Sequence, residues 1–483
     1  MNTCLLRIAG KAVAAAGGAT FERRNPITDE VVTQASAATL ADGAAAIEAA
    51  SSAFPVWSAM GPNTRRALLW KAADRMEART PDFVARIGAE TGGTAPWAGF
   101  NAMLAARMLR EAASLTTQVS GETIPSDIPG SYAFSIRQPA GVVLGIAPWN
   151  APVILGTRAV ATPLACGNAV VLKASEMCPA THSLIIEILE EAGLPAGTVN
   201  LITNAPADAP KLVESMIAHP AVRRVNFTGS TKVGKIVAEV AGRHLKPALL
   251  ELGGKAPLVI LDDADIDAAV NAAAFGAFAN QGQICMSTER IVVDAKIADG
   301  FVRKLASKAA RLPTGDPSAG NVVLGPLVNR AAASHIEDLA QNAEENGASV
   351  ILGPSVTDRS VVSAAIVDRV TPQMRIYSEE SFGPIVAIVR VDGDDQAVRV
   401  ANDTEYGLSA AVFSQNISRA LNVAMRINSG ICHINGSTVA DEAQMPFGGT
   451  KASGYGRFGG KAGIAEFTDL RWITIETDPH YPF

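Results

Sequence analysis

Short runs of β-branched and other apolar residues recur along the chain, each followed by a stretch with helical spacing. A first series occupies 141–146 (GVVLGI), 169–172 (AVVL), 198–202 (TVNLI) and 224–228 (RVNFT). A second occupies 256–261 (APLVIL), 290–293 (RIVV), 384–389 (PIVAIV), 410–413 (AAVF) and 430–434 (GICHI). Strands alternating with helices predict two α/β units, each on a parallel sheet. Ahead of them, from about 40 to 115, alanine-rich text sets apolar side chains three and four apart, as at Ala44, Ile47, Ala50 and Ala53 and at Leu69, Ala73 and Met76. That spacing predicts packed helices. The character of the chain changes near 140 and 252, which mark the expected boundaries, and no flexible linker or repeat of 20–50 residues separates the parts.

A chain of 483 residues has room for about three such units. Its 48% hydrophobic and 18% charged residues are those of a folded globular protein rather than a disordered one. The net charge of −6 supplies no basic field for a phosphate backbone, so nucleic acid is not an expected partner. Cys4, Cys166, Cys178, Cys285 and Cys432 are widely spaced, odd in number and form no CxxC, which fits a reducing compartment. Arg7 and Lys11 interrupt the N-terminal apolar stretch before an export signal forms, and no apolar run reaches the eighteen or so residues of a membrane span. A cytoplasmic protein without membrane contact is expected.

Several segments carry candidate chemistry. After the strand ending at Phe227, the loop 228–235 (TGSTKVGK) runs into a helical stretch, the layout that turns backbone N–H groups towards a phosphate. As a Walker A loop it matches at Gly229, Gly234 and Lys235, but Ile236 offers no hydroxyl to a metal; as a dinucleotide fingerprint it lacks the middle glycine. On its own it reads equally as an ordinary strand-to-helix turn. Asp263, Asp265 and Asp267 imitate the start of a calcium loop, yet Ala268 and Ala274 stand where glycine and glutamate are required, so they are read as acidic residues at a helix start. His182, His219, His244, His335, His433 and His480 show no ligand spacing, and no metal is expected. Cys285 lies in 280–290 (NQGQICMSTER), a glycine-punctuated polar loop between a predicted helix and a strand, where a nucleophile is readily presented; a lone cysteine is more often an inert small hydrophobe. Glu251, flanked by Leu250 and Leu252 and followed by two glycines, is either a buried general base with a raised pKa or half of a salt bridge to Lys255 or Arg290.

Taken in order, 148–150 (PWN), 173–176 (KASE), 227–231 (FTGST), 250–255 (LELGGK), 282–285 (GQIC), 379–384 (EESFGP) and 446–449 (PFGG) resemble the motifs of an aldehyde dehydrogenase, from near residue 20 to the C-terminus. The resemblance implies a Rossmann-like cofactor domain (1–119 and 140–252), an α/β catalytic domain (253–467) and a small β oligomerisation segment (120–139 and 468–483). It implies NAD-dependent oxidation of an aldehyde to a carboxylic acid. Cys285 would be the nucleophile, the Asn150 amide and the Cys285 N–H would hold the oxyanion, and Glu251 would deprotonate the hydrolytic water. Ser230, Gly229 and Gly234 would meet the pyrophosphate, Lys173 and Glu176 the adenosine ribose, Glu380 the nicotinamide ribose and Phe382 the nicotinamide ring, with Trp149, Ser175 and Leu252 also against the cofactor. Glu176 disfavours a 2′-phosphate, hence NAD over NADP. The C-terminal strand from about 468 would add to a neighbouring subunit's sheet in a homodimer or homotetramer, covering Trp472 and Ile473.

Within the family, 283–290 (QICMSTER), 433–438 (HINGST) and 444–449 (QMPFGG) are similar to the salicylaldehyde and vanillin dehydrogenases of aromatic-compound catabolism. Ala151 and Ala279 would leave room for a ring, while Trp97, Ile284, Met286 and Phe447 would wall it. Arg158 would either reach a phenolic oxygen or serve a structural ion pair. Three activities stay open at this point: aromatic aldehyde oxidation, an aliphatic, semialdehyde or CoA-acylating enzyme of the same family, and a non-catalytic NAD-binding protein on the same fold.

Overall fold

A computed structural model describes residues 1–483 except 358, 480 and 482, so His480 lies outside the described residues. All nine strands expected from the apolar runs form, and they divide between two large sheets as expected. The first sheet has eight strands, in the order Gly454–Tyr455, Ala248–Glu251, Val222–Thr228, Val142–Ile146, Ala169–Lys173, Val199–Ile202, Leu6–Ile8 and Lys11–Val13. Its five inner strands are parallel, and antiparallel strands close both edges. Parallel strands are covered by helices on both faces, which is why Val142–Ile146 and Ala169–Lys173 are buried at every position and read as unbroken apolar runs. The second sheet has seven strands, with Thr288–Asp294 and Ala256–Ile260 near its centre.

The alanine-rich segment forms four helices, Leu40–Ala59, Pro62–Ala78, Thr80–Thr91 and Ala95–Leu115, whose predicted apolar positions Ile47, Ala50, Ala53, Leu69, Ala73 and Met76 are buried. Alanine on the packed faces lets helix axes approach closely; Ala102, Ala105, Ala106 and Ala113 of the last helix have no solvent exposure.

A third sheet joins Thr123–Ile124, Ser131–Pro139 and Thr468–Glu476. The C-terminal strand pairs along its whole length with its own chain, from Thr468 opposite Pro139 to Glu476 opposite Ser131. The two nine-residue strands match in length, so one edge of the C-terminal strand satisfies its backbone groups within the chain. Its other edge stays open, and Leu470, Trp472 and Ile475 are exposed along it. Among the described residues no helix is long and apolar enough to cross a membrane.

Candidate active site

Four of the sequence motifs end up side by side because each follows, or ends, a strand of the first sheet at its carboxyl edge. Asn150 lies just beyond Val142–Ile146, Lys173 ends Ala169–Lys173, Gly229 and Ser230 follow Val222–Thr228, and Glu251 ends Ala248–Glu251. In open α/β sheets this edge is where ligands bind. The Gly229 N–H donates to the Glu251 carbonyl at 3.0 Å, tying two of these ends together.

The cysteine loop is built from strained backbone. After the helix Ile266–Phe278, Asn280, Gln281 and Gly282 take φ of 47°, 56° and 70°, a left-handed run that costs a non-glycine residue about 1–2 kcal/mol. Surrounding contacts hold it there. Asn280 Nδ2 donates to the Asn150 carbonyl (3.1 Å), Gln281 Nε2 to the Pro326 carbonyl (3.2 Å) and Ser287 Oγ to the Gly282 carbonyl (3.0 Å). A Cβ on Gly282 would stand 2.2 Å from the Gly383 carbonyl oxygen, so glycine is required both for conformation and for the approach of 379–384. The outcome is a half-buried Cys285 whose backbone N–H is claimed by no hydrogen bond among the described residues. Asn150 is oriented beside it: Nδ2 donates to the Gln283 carbonyl at 3.0 Å, leaving a second amide hydrogen, and the Asn150 carbonyl accepts from Trp97 Nε1 at 3.1 Å.

Glu251 is fully enclosed, and neither carboxylate oxygen has a hydrogen-bond partner among the described residues. Burial pushes it up to about 7, against the opposing pull of the Arg158 guanidinium and of Cys285. Burial also pushes the Cys285 thiol well above its ordinary value, and the Glu251 carboxylate pushes it further. The salt bridges open to Glu251 in the sequence do not form. Lys255 instead pairs with Glu289 at 2.7 Å, and Arg290 donates to the carbonyls of Asp403 and Ala401.

Glu289 is a site residue that sequence reasoning passed over. Wholly buried with Lys255, it accepts from the N–H groups of Ser381 (3.0 Å) and Phe382 (3.0 Å), while Lys255 Nζ donates to the Glu379 carbonyl at 2.6 Å. One ion pair therefore joins three motifs, 250–255, 282–290 and 379–384, and supports Phe382 at φ 48°. Its trace in the sequence is an acidic residue beside Arg290, just ahead of the apolar run 291–293. Gly254 touches the Cys285 carbonyl, where a Cβ would approach to 2.3 Å. Its N–H donates to Glu380 at 2.8 Å, and Glu380 is pushed up to about 8, first by burial and then by Glu289. The Phe382 and Trp149 rings meet edge to face, 5.8 Å apart.

On the opposite side of the sheet edge, Lys173 is ion-paired with Glu176, which also accepts from Asn204 Nδ2 at 3.0 Å. The Ser175 N–H donates to His182 Nδ1 at 3.1 Å. Ser230 caps the helix Thr231–Arg243 and remains exposed at its N-terminus. Gly234 lets that helix lie on Leu252, since a Cβ there would come within 2.3 Å of the leucine. Among the described residues no cluster of three or more His, Cys, Asp or Glu is arranged to hold a metal.

A cavity of about 650 Å³ opens in front of Cys285. Trp97, Ala151, Arg158, Ala279, Ile284, Met286 and Phe447, which the resemblance puts around a substrate, all line it. Arg158 is committed elsewhere than to solvent: it is ion-paired with Asp441, a wall residue the sequence reading did not single out, and stacks on Phe447 with 4.2 Å from guanidinium carbon to ring centroid.

The family model described as "Aldehyde dehydrogenase family" matches residues 13–473. A vanillin dehydrogenase from Pseudomonas fluorescens is 60% identical over 99% of this chain and 99% of its own length. The crystal structure of a salicylaldehyde dehydrogenase from Pseudomonas putida G7 complexed with salicylaldehyde superimposes with a TM-score of 0.98 at 49% identity, covering both chains completely. A betaine aldehyde dehydrogenase from Staphylococcus aureus in complex with NAD+ superimposes with a TM-score of 0.95 at 32% identity, covering 99% of this chain and 95% of that one.

Proposed function

Because this chain belongs to the aldehyde dehydrogenase family, we propose that it oxidises aromatic aldehydes to carboxylic acids with NAD, through a thiohemiacetal and a thioester on Cys285. The observation that carries the aromatic reading is the cavity: about 650 Å³, walled by Trp97, Ile284, Met286 and Phe447, with only alanine at 151 and 279 to crowd a ring. The vanillin and salicylaldehyde dehydrogenases that resemble this chain act on such substrates by their names.

The chemistry follows from the side chains. Glu251 takes the thiol proton, the Cys285 sulfur attacks the carbonyl carbon, and the free Asn150 N–H with the Cys285 backbone N–H receives the charge that develops on oxygen. After oxidation the acyl group remains on sulfur as a thioester. Glu251, once it has released the thiol proton to solvent, deprotonates a water; the water adds to the thioester, the C–S bond breaks with the sulfur leaving as thiolate, and the acid is released. The low polarity that raises Glu251 to about 7 makes it a base matched to neutral pH. A base so near the sulfur favours hydrolysis over transfer to CoA.

The residues at the sheet edge fit a dinucleotide. An exposed helix N-terminus at Ser230, a Lys173–Glu176 pair and the buried, unpartnered Asn204 Oδ1 beside it form a donor and acceptor set suited to phosphate and ribose hydroxyls. Glu176 repels a 2′-phosphate, which favours NAD over NADP. Glu380 would hold the second ribose, and Phe382 and Trp149 would flank the ring. When bound, NAD accepts the hydride. The division into 1–119 with 140–252, 253–467, and 120–139 with 468–483 is proposed on the same reading, as is a cytoplasmic homo-oligomer that covers the open edge at Trp472.

A panel of benzaldehyde, salicylaldehyde, vanillin and short aliphatic aldehydes, followed by NADH absorbance, tests the proposal; preference for aliphatic substrates contradicts it. Ala151→Phe fills the space for the ring and lowers kcat/KM for ring substrates about tenfold more than for acetaldehyde, and equal losses would discredit the slot.

A further inference from the structure

The cavity reaches the surface among Phe100, Phe275, Val323 and Lys308. Lys308 and Leu312, which line its outer end, also line an adjoining hollow of about 520 Å³ bordered by Arg303, Lys304, Ser307, Arg311, Val270 and Asp267. Four cations therefore stand around this hollow against one carboxylate, in a protein whose net charge is −6. Asp267 is taken by Lys304, at 2.5 Å. Lys308 Nζ donates to Asn271 Oδ1 at 2.6 Å, and Asn271 is itself part of the cavity wall, so the ammonium is held at the mouth by a neutral partner. Arg311 donates to Ser307 Oγ at 3.1 Å, another neutral group. Among the described residues no carboxylate lies within ion-pairing distance of Lys308, Arg303 or Arg311. The cation deeper in the cavity, Arg158, is already ion-paired with Asp441.

Lys308 and Arg311, bonded to neutral groups, stand beside Arg303 and Lys304, and like charges gathered on one surface raise the local positive potential. We infer that this hollow is an antechamber that captures aryl aldehydes bearing an anionic ring substituent, a phenolate or a carboxylate, and feeds them to Cys285. The inference rests on the aromatic reading above and adds to it a preference set by charge. The chemistry of the ligand is consistent with the resemblance: a formyl group ortho or para to a ring hydroxyl withdraws electrons and makes that hydroxyl unusually acidic, so a fraction of such substrates is anionic near neutral pH. Capture by a field acts on the encounter, so it belongs to kcat/KM and weakens with salt.

The test compares 4-carboxybenzaldehyde, anionic throughout the neutral range, with benzaldehyde, neutral throughout. The ratio of their kcat/KM values is measured from about 20 to about 300 mM salt. In the native enzyme the ratio falls roughly three- to tenfold as salt rises. Lys308→Gln and Arg311→Gln each lower the low-salt ratio by about threefold and flatten its salt dependence, with Arg311→Gln acting although Arg311 lies outside the cavity. Benzaldehyde turnover with a ratio that neither salt nor either variant alters overturns the antechamber while leaving the aromatic reading intact. Failure to oxidise either ring compound, with aliphatic aldehydes accepted, overturns both.

Discussion

Cys285→Ala lowers kcat/KM for aromatic aldehydes by at least about 10⁴-fold, because no covalent intermediate forms and the oxyanion donors have nothing to stabilise. The fold tolerates the change. The cysteine loop is held by Asn280, Gln281, Ser287 and the contact of Gly282 with Gly383, none of which uses the thiol. NADH absorbance reads the activity and thermal melting the fold. The expected pattern is near-complete loss of turnover with an unchanged melting temperature; substantial residual turnover would take the sulfur out of the reaction.

Glu251→Gln separates the two halves of the cycle. The amide preserves volume in an enclosed site but accepts no proton, so deacylation slows by roughly 10²–10⁴-fold. Some acylation persists through the small thiolate fraction, and rapid mixing shows a burst of NADH near one equivalent per site followed by a slow steady state. The pH profile carries the sign. Burial raises Glu251 to about 7, so it is protonated and inert as a base below that pH and competent above it. Steady-state kcat in the native enzyme therefore rises through about pH 7 to a plateau, and in Glu251→Gln that rise disappears. A variant with unchanged kcat and pH profile would assign the base elsewhere.

The parallel strands were legible in sequence because burial on both faces leaves continuous β-branched runs. Less visible were Leu6–Ile8, Lys11–Val13 and Gly454–Tyr455, strands of two or three residues at or next to the sheet edges that carry too few side chains for any period to show. The strand Ala248–Glu251 was hidden because its last residue belongs to a motif and its pattern stops at two glycines. Cys285 and Glu251 stood out as candidates by their local surroundings, while Asn150 and the apolar wall came only from the resemblance; the structure brings all of them to one cavity or its edge. The supports were not. Glu289 reaches Ser381 and Phe382 across 92 and 93 residues of chain, and Asp441 meets Arg158 across 283. Such pairings depend on how two sheets face each other, which local spacing does not encode. The same holds for the C-terminal strand, whose pattern announces an edge in need of a partner but does not say that the partner is 131–139 of its own chain.

The central claim is a covalent bond between the Cys285 sulfur and the aldehyde carbon. Glu251→Gln enzyme mixed with NAD and vanillin, quenched in acid after the burst and digested, is read by mass spectrometry of the peptide that contains Cys285. The account predicts a vanilloyl adduct on that thiol, at an occupancy equal to the NADH burst. An NADH burst with Cys285 unmodified, or with the acyl group on Cys4, Cys166, Cys178 or Cys432, would contradict it.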